Sequence, residues 1–138
     1  MAADTPDRLW AKSPHGGHRK TILDHTVDVL DAAEALFGGK EGPTRLGRRW
    51  LEFFRIPPAR FAEFRLNLLA AAGFHDLGKA TDSFQQAVLH NTGQVVRHEH
   101  VSAMILGLPS IRDWLASVSG LDVDLVLSAV LTHHLKAN

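Results

Sequence analysis

The chain contains no cysteine among its 138 residues. This absence excludes disulfide scaffolds, thiolate zinc sites, iron–sulfur clusters and cysteine nucleophiles. Any metal ion must therefore be bound by imidazole and carboxylate groups. The formal net charge is zero, because 15 basic side chains balance 15 acidic ones. Any contact with a polyanion would therefore depend on a local patch of charge.

Targeting segments and several well-known hydrolase motifs are missing too. Residues 1–7 lack the basic and apolar regions of a signal peptide, and no stretch reaches the ~18 apolar residues of a membrane span. The sequence therefore predicts a soluble, cytoplasmic protein without a membrane partner. It contains no Gly-x-Ser-x-Gly motif, no phosphate-binding glycine loop, no helicase motif and no carboxylate pair at a spacing suited to acid–base catalysis.

Apolar residues recur at helical spacing along most of the chain, and almost no segment alternates as a strand does. Proline and glycine separate the periodic segments. With 45% hydrophobic residues, the chain can bury about two thirds of its unfolded surface, so it needs no disulfide bond or structural metal to fold. We therefore predict a compact all-α domain. The predicted helices cover residues 21–37, 44–54, 58–72, 83–90, 98–108, 110–118 and 123–135.

Histidine is the residue type that stands out, with nine copies. His75 and Asp76 are adjacent at the end of a predicted helix. His25 shares a helical stripe with Val29, Ala32 and Leu36, which predicts that it faces the core. Others of the set lie at predicted helix ends: His98, His133 and His134.

A single histidine is usually a surface residue or a satisfied core residue. Several buried imidazoles without partners, however, would each cost roughly 1–3 kcal/mol. A shared metal removes that cost. Two ions about 3.5–4 Å apart, bridged by one carboxylate, would hold the attacking and leaving oxygens of a phosphate ester.

Five motifs occur in order along the chain. They are Trp10-Ala11-Lys12-Ser13, His25-Thr26-Val27-Asp28-Val29, His75-Asp76-Leu77-Gly78-Lys79-Ala80 followed by Phe84-Gln85, Arg97-His98-Glu99 with Ser102-Ala103, and His133-His134. This order resembles the HD superfamily of metal-dependent phosphohydrolases. In detail it is most similar to the HD nuclease domain of the CRISPR-associated nuclease-helicase of type I systems. The resemblance covers nearly the whole chain and implies a single HD nuclease-like domain over residues 1–138, folded as a compact helical bundle.

The resemblance implies a site with two divalent metal ions. His25, His75 and Asp76 would ligate one ion, and Asp76 would bridge to the second. The ligands of the second ion would be His98, His133 and His134. The catalytic residues would be Asp76, His75 and Lys79. Lys79 would orient a phosphate oxygen, although a lysine after glycine, taken on its own, is more often a solvated helix charge.

The remaining histidines are weaker candidates for metal ligands. His100 is one helical position away from the Arg97-His98-Glu99 motif, so we expect a surface or supporting residue and keep it only as a reserve ligand. The others occupy turn-like or polar contexts, where a surface position is expected: His15, His18 and His90.

The ligand types predict which metals would bind. An imidazole-rich set favours manganese, cobalt, nickel, iron or zinc over magnesium, which prefers oxygen ligands. Such ions lower the pKa of a bound water to about 7, so that it can attack phosphorus. No protein nucleophile would be required.

A nucleic-acid substrate has separate support between Lys40 and Arg65. Seven basic residues face three acidic ones there, a local excess of four positive charges, and five aromatic residues are interleaved with them. This pattern suits single-stranded DNA, with Arg48 and Arg49 as candidate substrate contacts. From the pattern alone, two amphipathic helices with core aromatics and solvated arginines are the favoured explanation. The resemblance implies single-stranded DNA as substrate, with a helicase domain or subunit and an RNA-guided surveillance complex as partners.

One implied ligand has no match in this sequence. The family supplies a further aspartate to the first metal from a region beyond the His-His motif, whereas Asp113, Asp122 and Asp124 all precede His133. We therefore expect the chain to be the N-terminal part of a longer domain or protein, truncated on its C-terminal side. Three functions remain open: a metal-dependent single-stranded DNA nuclease, an HD phosphohydrolase of nucleotides or small phosphate esters, and an inactive metal-binding or interaction fragment.

Overall fold

The computed structural model describes residues 9–12 and 19–134. Seven α-helices make up most of this part of the chain. They are α1 (Ile22–Phe37), α2 (Arg45–Phe53), α3 (Phe61–Phe74), α4 (Asp82–His90), α5 (His98–Leu106), α6 (Pro109–Ala116) and α7 (Val123–Thr132). Short 3₁₀ turns cover Pro58–Arg60 and Leu77–Ala80, and a small antiparallel hairpin pairs β1 (Gly38–Gly39) with β2 (Gly42–Pro43). The all-α prediction is confirmed. None of these helices is long and apolar enough to cross a membrane.

Local capping sets several of the helix boundaries. Thr21, Thr44 and Asp122 each accept a hydrogen bond from the backbone N–H three residues further on, which satisfies one of the free donors at a helix start. At the other end of α1, Gly38 has a φ of +124°, a conformation that favours glycine. Gly38 and Gly39, which follow α1, therefore both end the helix and form the first strand of the hairpin.

The buried core lies among the last helices of the chain. It combines apolar residues of α5, α6 and α7 with partly buried residues of α3. The fully or nearly fully buried members are Leu106, Leu115, Val123, Val126 and Val130. Helix α3 packs against both α1 and α7, and α5 packs against α7 and the 3₁₀ turn at Leu77–Ala80. The end of α3, the start of α5 and the end of α7 are thereby drawn together.

Two details differ from the sequence prediction. Ala32 and Leu36 are exposed, so the predicted stripe of α1 is wrong beyond its first turns. The buried line keeps Val29 but continues through Ala33 and Phe37. These residues are each one position beyond Ala32 and Leu36, an offset of about 100° around the helix. His25 consequently lies at the edge of the buried face, with 32% of its side chain exposed.

Helix α7 is shorter than predicted. It ends at Thr132, so that His133 and His134 lie in the turn after it. The predicted stretch to residue 135 runs past the described part of the chain.

Candidate metal centre

The candidate ligands come from the ends of four helices. His25 is in the first turn of α1, His98 is the first residue of α5, and His75 caps α3. Asp76 follows directly at the start of the 3₁₀ turn, and the last two candidates, His133 and His134, follow α7. Packing of α3 and α5 against α7 brings these ends to one place.

The structure arranges the six side chains as two groups that share one carboxylate. His25, His75 and Asp76 form the first group, and Asp76 joins the second. The other members of the second group are His98, His133 and His134. Within each group the potential ligand atoms all lie within 4.8 Å of one another. This is the same division that the resemblance implies, although the roles of these residues as ligands stay a prediction.

Asp76 is 2% exposed and turns its two oxygen atoms towards different groups. Oδ2 lies 3.1 Å from His25 Nε2 and 3.2 Å from His75 Nε2. Oδ1 lies 3.1 Å from His98 Nε2 and 3.7 Å from His133 Nε2. A carboxylate placed in this way can donate one oxygen to each of two cations.

The buried polar atoms of this cluster test whether a cation fits. Both oxygens of Asp76 and Nε2 of His133 are buried without a hydrogen bond. Oδ2 has the ammonium of Lys79 beside it at 2.7 Å, whereas Oδ1 has imidazole nitrogens nearby. Such orphaned groups are rare in folded proteins and costly unless something satisfies them. Two divalent metal ions, one at each group, would satisfy all three atoms.

The pair His98 and His134 supports the same conclusion. Their Nε2 atoms lie 3.0 Å apart, a distance at which one ring can donate a hydrogen bond to the other. That spacing resembles the separation of about 3.0–3.4 Å between two imidazole ligands that each lie about 2.0–2.1 Å from one ion. The first group offers three donors, fewer than the four or more that a divalent ion takes. An ion there would complete its coordination with water, substrate or a further residue.

Two histidines are oriented by the helices that they follow. Nδ1 of His75 lies 2.7 Å from the carbonyl oxygen of Ala72, and Nδ1 of His133 lies 2.6 Å from that of Val130. A carbonyl oxygen only accepts, so each Nδ1–H donates, and in the neutral ring Nε2 then keeps a free lone pair. This arrangement is the usual support of a metal-binding histidine, because it fixes the tautomer and the ring orientation.

The pKa values of the group agree with ligand chemistry. Burial lowers the pKa of His25, His133 and His134, because desolvation disfavours the imidazolium. Burial would raise the pKa of Asp76, but the nearby His75, His98 and Lys79 outweigh it and hold that pKa well below its usual range. Burial would likewise lower the pKa of His75, yet Asp76 and the Ala72 carbonyl raise it. At neutral pH the carboxylate is ionised and three of the imidazoles are neutral, as metal binding requires.

Lys79 lies inside the cluster. Its side chain is 13% exposed, and Nζ is 2.7 Å from Oδ2 of Asp76. The same ammonium group lies 5.7 Å from the ring centre of Phe84. The solvated helix charge that the sequence left open is therefore not what the structure contains.

Several other sequence candidates lie away from this cluster. Arg48 and Arg49 are on α2, which packs against the far end of α1 near Phe37. The length of α1 between His25 and Phe37 is about 18 Å at ~1.5 Å per residue. His100 and His90 are exposed and belong to neither ligand group. His15 and His18 fall outside the described residues.

Three buried polar residues beside the cluster were not predicted from the sequence to have a role. Gln85 accepts a hydrogen bond from the Trp10 backbone and donates to the Lys79 carbonyl at 2.7 Å. Glu99 is 2% exposed and pairs with Arg97. Ser102 is 0% exposed. All three belong to the five motifs of the sequence analysis. A polar residue on the otherwise apolar face of a helix is the sequence feature that could have indicated a supporting role.

A helical domain in which helix ends gather a His-Asp pair among four further histidines has the architecture of an HD domain. A family model described as Cas3, HD domain, matches residues 10–137, and the chain belongs to this family. The chain is 37% identical over 137 residues to a protein of Myxococcus xanthus (strain DK1622) named CRISPR-associated nuclease/helicase Cas3. That match covers 96% of this chain but 16% of the relative. No solved structure matches the chain.

Proposed function

We propose that this chain is a metal-dependent nuclease domain that hydrolyses phosphodiester bonds of single-stranded DNA in type I CRISPR interference. The observation that carries the proposal is the carboxylate of Asp76, whose two oxygens face two separate groups of histidines. The name of the relative, which the chain matches over 16% of that protein's length, supports the nuclease assignment.

Each residue would have a distinct task. Asp76 would hold two divalent ions at once, while His75 and His133 are oriented for binding by the carbonyls behind them. Bound ions would supply Lewis-acid activation of water and neutralise charge that develops on the phosphate. Lys79, with its ammonium beside Asp76, would hold a phosphate oxygen by charge. The imidazole-rich set favours manganese, cobalt, nickel, iron or zinc over magnesium.

The partners follow from the same proposal. The relative's name joins nuclease to helicase, so we infer that a helicase domain or subunit delivers the single strand. An RNA-guided surveillance complex would select the DNA. The six candidate ligands themselves come from α1, α3, α5, α7 and the turns after α3 and α7.

The direct test is degradation of circular single-stranded DNA with manganese, cobalt or nickel. Wild-type protein is expected to cleave it, and Asp76→Ala and His75→Ala are expected to lose at least about 100-fold in rate, more than the 10- to 100-fold typical of a lost supporting residue. His90→Ala, an exposed histidine bound to Gln86, serves as the matched control and should keep the wild-type rate.

Other results would identify a different function. Equal degradation by wild type, Asp76→Ala and His75→Ala would refute the site assignment. Hydrolysis of nucleotides without cleavage of DNA would identify a small-ester phosphohydrolase. Bound metal with no phosphodiester cleavage at all would identify a metal-binding or interaction fragment.

The arginines of α2 form a separate part of the proposal. Arg48 and Arg49 are exposed beside Trp50 and Phe53, and Phe53 has 78% of its surface accessible, so a strand could stack there. Combined Arg48→Gln and Arg49→Gln substitution is expected to weaken single-stranded DNA binding and to reduce its salt dependence by about 0.7 per lost phosphate contact. Manganese affinity, measured by calorimetry, should not change. An unaltered salt dependence would remove these residues from the substrate path.

A further inference from the structure

Ser102 is a fully buried hydroxyl on α5, with 0% of its surface exposed. Its oxygen accepts a hydrogen bond from the backbone N–H of Gly78 at 2.7 Å. The same hydroxyl lies 3.0 Å from the carbonyl oxygen of His75 and 2.9 Å from that of His98, and it donates its single proton to this pair of acceptors. One side chain therefore joins the backbones of three residues at the candidate metal centre.

These three residues belong to the two ligand groups and to the turn between them. His75 is in the first group, His98 is in the second, and Gly78 lies in the 3₁₀ turn that follows Asp76. A Cβ atom at Gly78 would lie 2.2 Å from the carbonyl oxygen of His98, so the turn and α5 are in direct backbone contact. The distance between the two ligand groups therefore depends on this backbone contact, which the hydrogen bonds of Ser102 stabilise.

We propose that Ser102 is a positioning residue that sets the spacing between the two candidate ligand groups, so that Asp76 serves both at once. This inference rests on the proposed function. Helix serines commonly bond to the carbonyl four residues earlier, and the contact with His98 is of that kind. The bonds to Gly78 and His75 are different, because they reach a separate element and tie it to α5.

Loss of the hydroxyl would release that tie. In Ser102→Ala the N–H of Gly78 and the carbonyl of His75 would lose their buried partner, and the turn would shift away from α5 to recover one. Metal coordination tolerates only about 0.2 Å of error in ligand distance. Asp76 would then still reach one group but would no longer bridge both.

Manganese alone is a sufficient probe. Calorimetry gives the affinity and number of ions, and electron paramagnetic resonance detects the exchange coupling of two adjacent Mn²⁺ ions. We expect Ser102→Ala to lose the coupling and to bind its second ion about 10- to 100-fold more weakly. Ser102→Thr, which keeps a hydroxyl, should restore the coupled pair.

Asn67→Ala is the matched control for a general loss of stability. Asn67 is also buried, and its amide donates to the carbonyls of Glu63 and Gly120 and accepts from the N–H of Asp122. It lies on α3 about 12 Å before His75 at ~1.5 Å per residue. This variant should melt at a lower temperature yet bind two coupled ions as the wild type does.

The outcomes separate this inference from the proposed function. A wild-type protein that binds no manganese overturns both. Two coupled ions in Ser102→Ala at wild-type affinity overturn the role of Ser102 alone, and so does an equal loss of coupling in Asn67→Ala. If Ser102→Ala fails to fold, Ser102→Cys takes its place, because a thiol is a weaker donor and acceptor, and the same loss is expected.

Discussion

Lys79 and Asp76 place opposite charges side by side in a site that is expected to take cations. Nζ of Lys79 is 2.7 Å from Oδ2 of Asp76, which is the oxygen that faces the first ligand group. The ammonium stabilises the carboxylate while the site holds no ion, but it repels any ion that binds to the same oxygen. Lys79 should therefore oppose metal binding while it favours binding of the phosphate.

Substitution of Lys79 by methionine tests this balance. Lys79→Met keeps the length and packing of the side chain and removes the charge, so Mn²⁺ is expected to bind about tenfold more tightly, the equivalent of about 1.4 kcal/mol of relieved repulsion. DNA cleavage should become slower, because the phosphate loses a partner. Calorimetry and a cleavage assay measure the two effects.

Lys40→Met is the control for this substitution. Lys40 is an exposed residue of the hairpin loop, and its loss should change neither quantity. Weaker metal binding in Lys79→Met would mean instead that the lysine holds Asp76 in place.

At the scale of secondary structure, the contact between the Leu77–Ala80 turn and α5 depends on a glycine. A Cβ at Gly78 would lie 2.2 Å from His98 O and 2.9 Å from Ser102 N. Both are backbone atoms, which cannot rotate away. Gly78→Ala is therefore expected to destabilise the fold by about 1–3 kcal/mol, the range for overpacking.

Thermal or urea unfolding measures this effect, with Gly93→Ala as the matched control. No atom lies within 4 Å of a Cβ added at Gly93, so its stability should change by no more than about 0.5–1 kcal/mol, in the favourable direction. An unchanged stability in Gly78→Ala would show that α5 can move away from the turn without cost.

The secondary structure also shows how much of this fold can be predicted from the sequence alone. Helical periodicity, proline and glycine locate the helices to within a few residues, because these features act locally. The order of His25, His75-Asp76, His98 and His133-His134 also identified the residues that the structure gathers. Which helix ends meet is a tertiary property, so neither the bonds of Ser102 nor the distance of Arg48 from the cluster could be predicted.

The buried face of α1 illustrates why the rest of the structure is difficult to predict from the sequence. Two apolar lines, one residue apart, run along this helix, and both have helical spacing. Packing against α3 selects the line through Ala33 and Phe37 and leaves Leu36 52% exposed. Periodicity alone cannot choose between neighbouring faces when each is apolar.

At the scale of the whole molecule, the six candidate ligands span the chain from His25 to His134. An ion bound by either group would join elements that are far apart in sequence. Because the unfolded chain cannot hold these ligands together, metal binding should stabilise the folded state.

Melting temperature gives a measurement of this linkage. Manganese at a hundredfold excess over its Kd should stabilise the protein by about 2.7 kcal/mol relative to chelator, or roughly 10 °C in Tm. Asp76→Asn should abolish most of the shift, since both groups lose their shared ligand, whereas His90→Ala should retain it. An equal shift in Asp76→Asn would place the bound metal elsewhere.

The way in which the helices end at this centre has an electrostatic consequence of its own. Helices α3 and α7 both finish beside Asp76, at His75 and His133, while α1 and α5 begin there, at His25 in the first turn of α1 and at His98. Each helix carries about half a negative elementary charge at its C-terminus and half a positive one at its N-terminus. Two negative ends and two positive ends largely cancel. The attraction of this centre for cations therefore depends on its side chains, and above all on the carboxylate of Asp76.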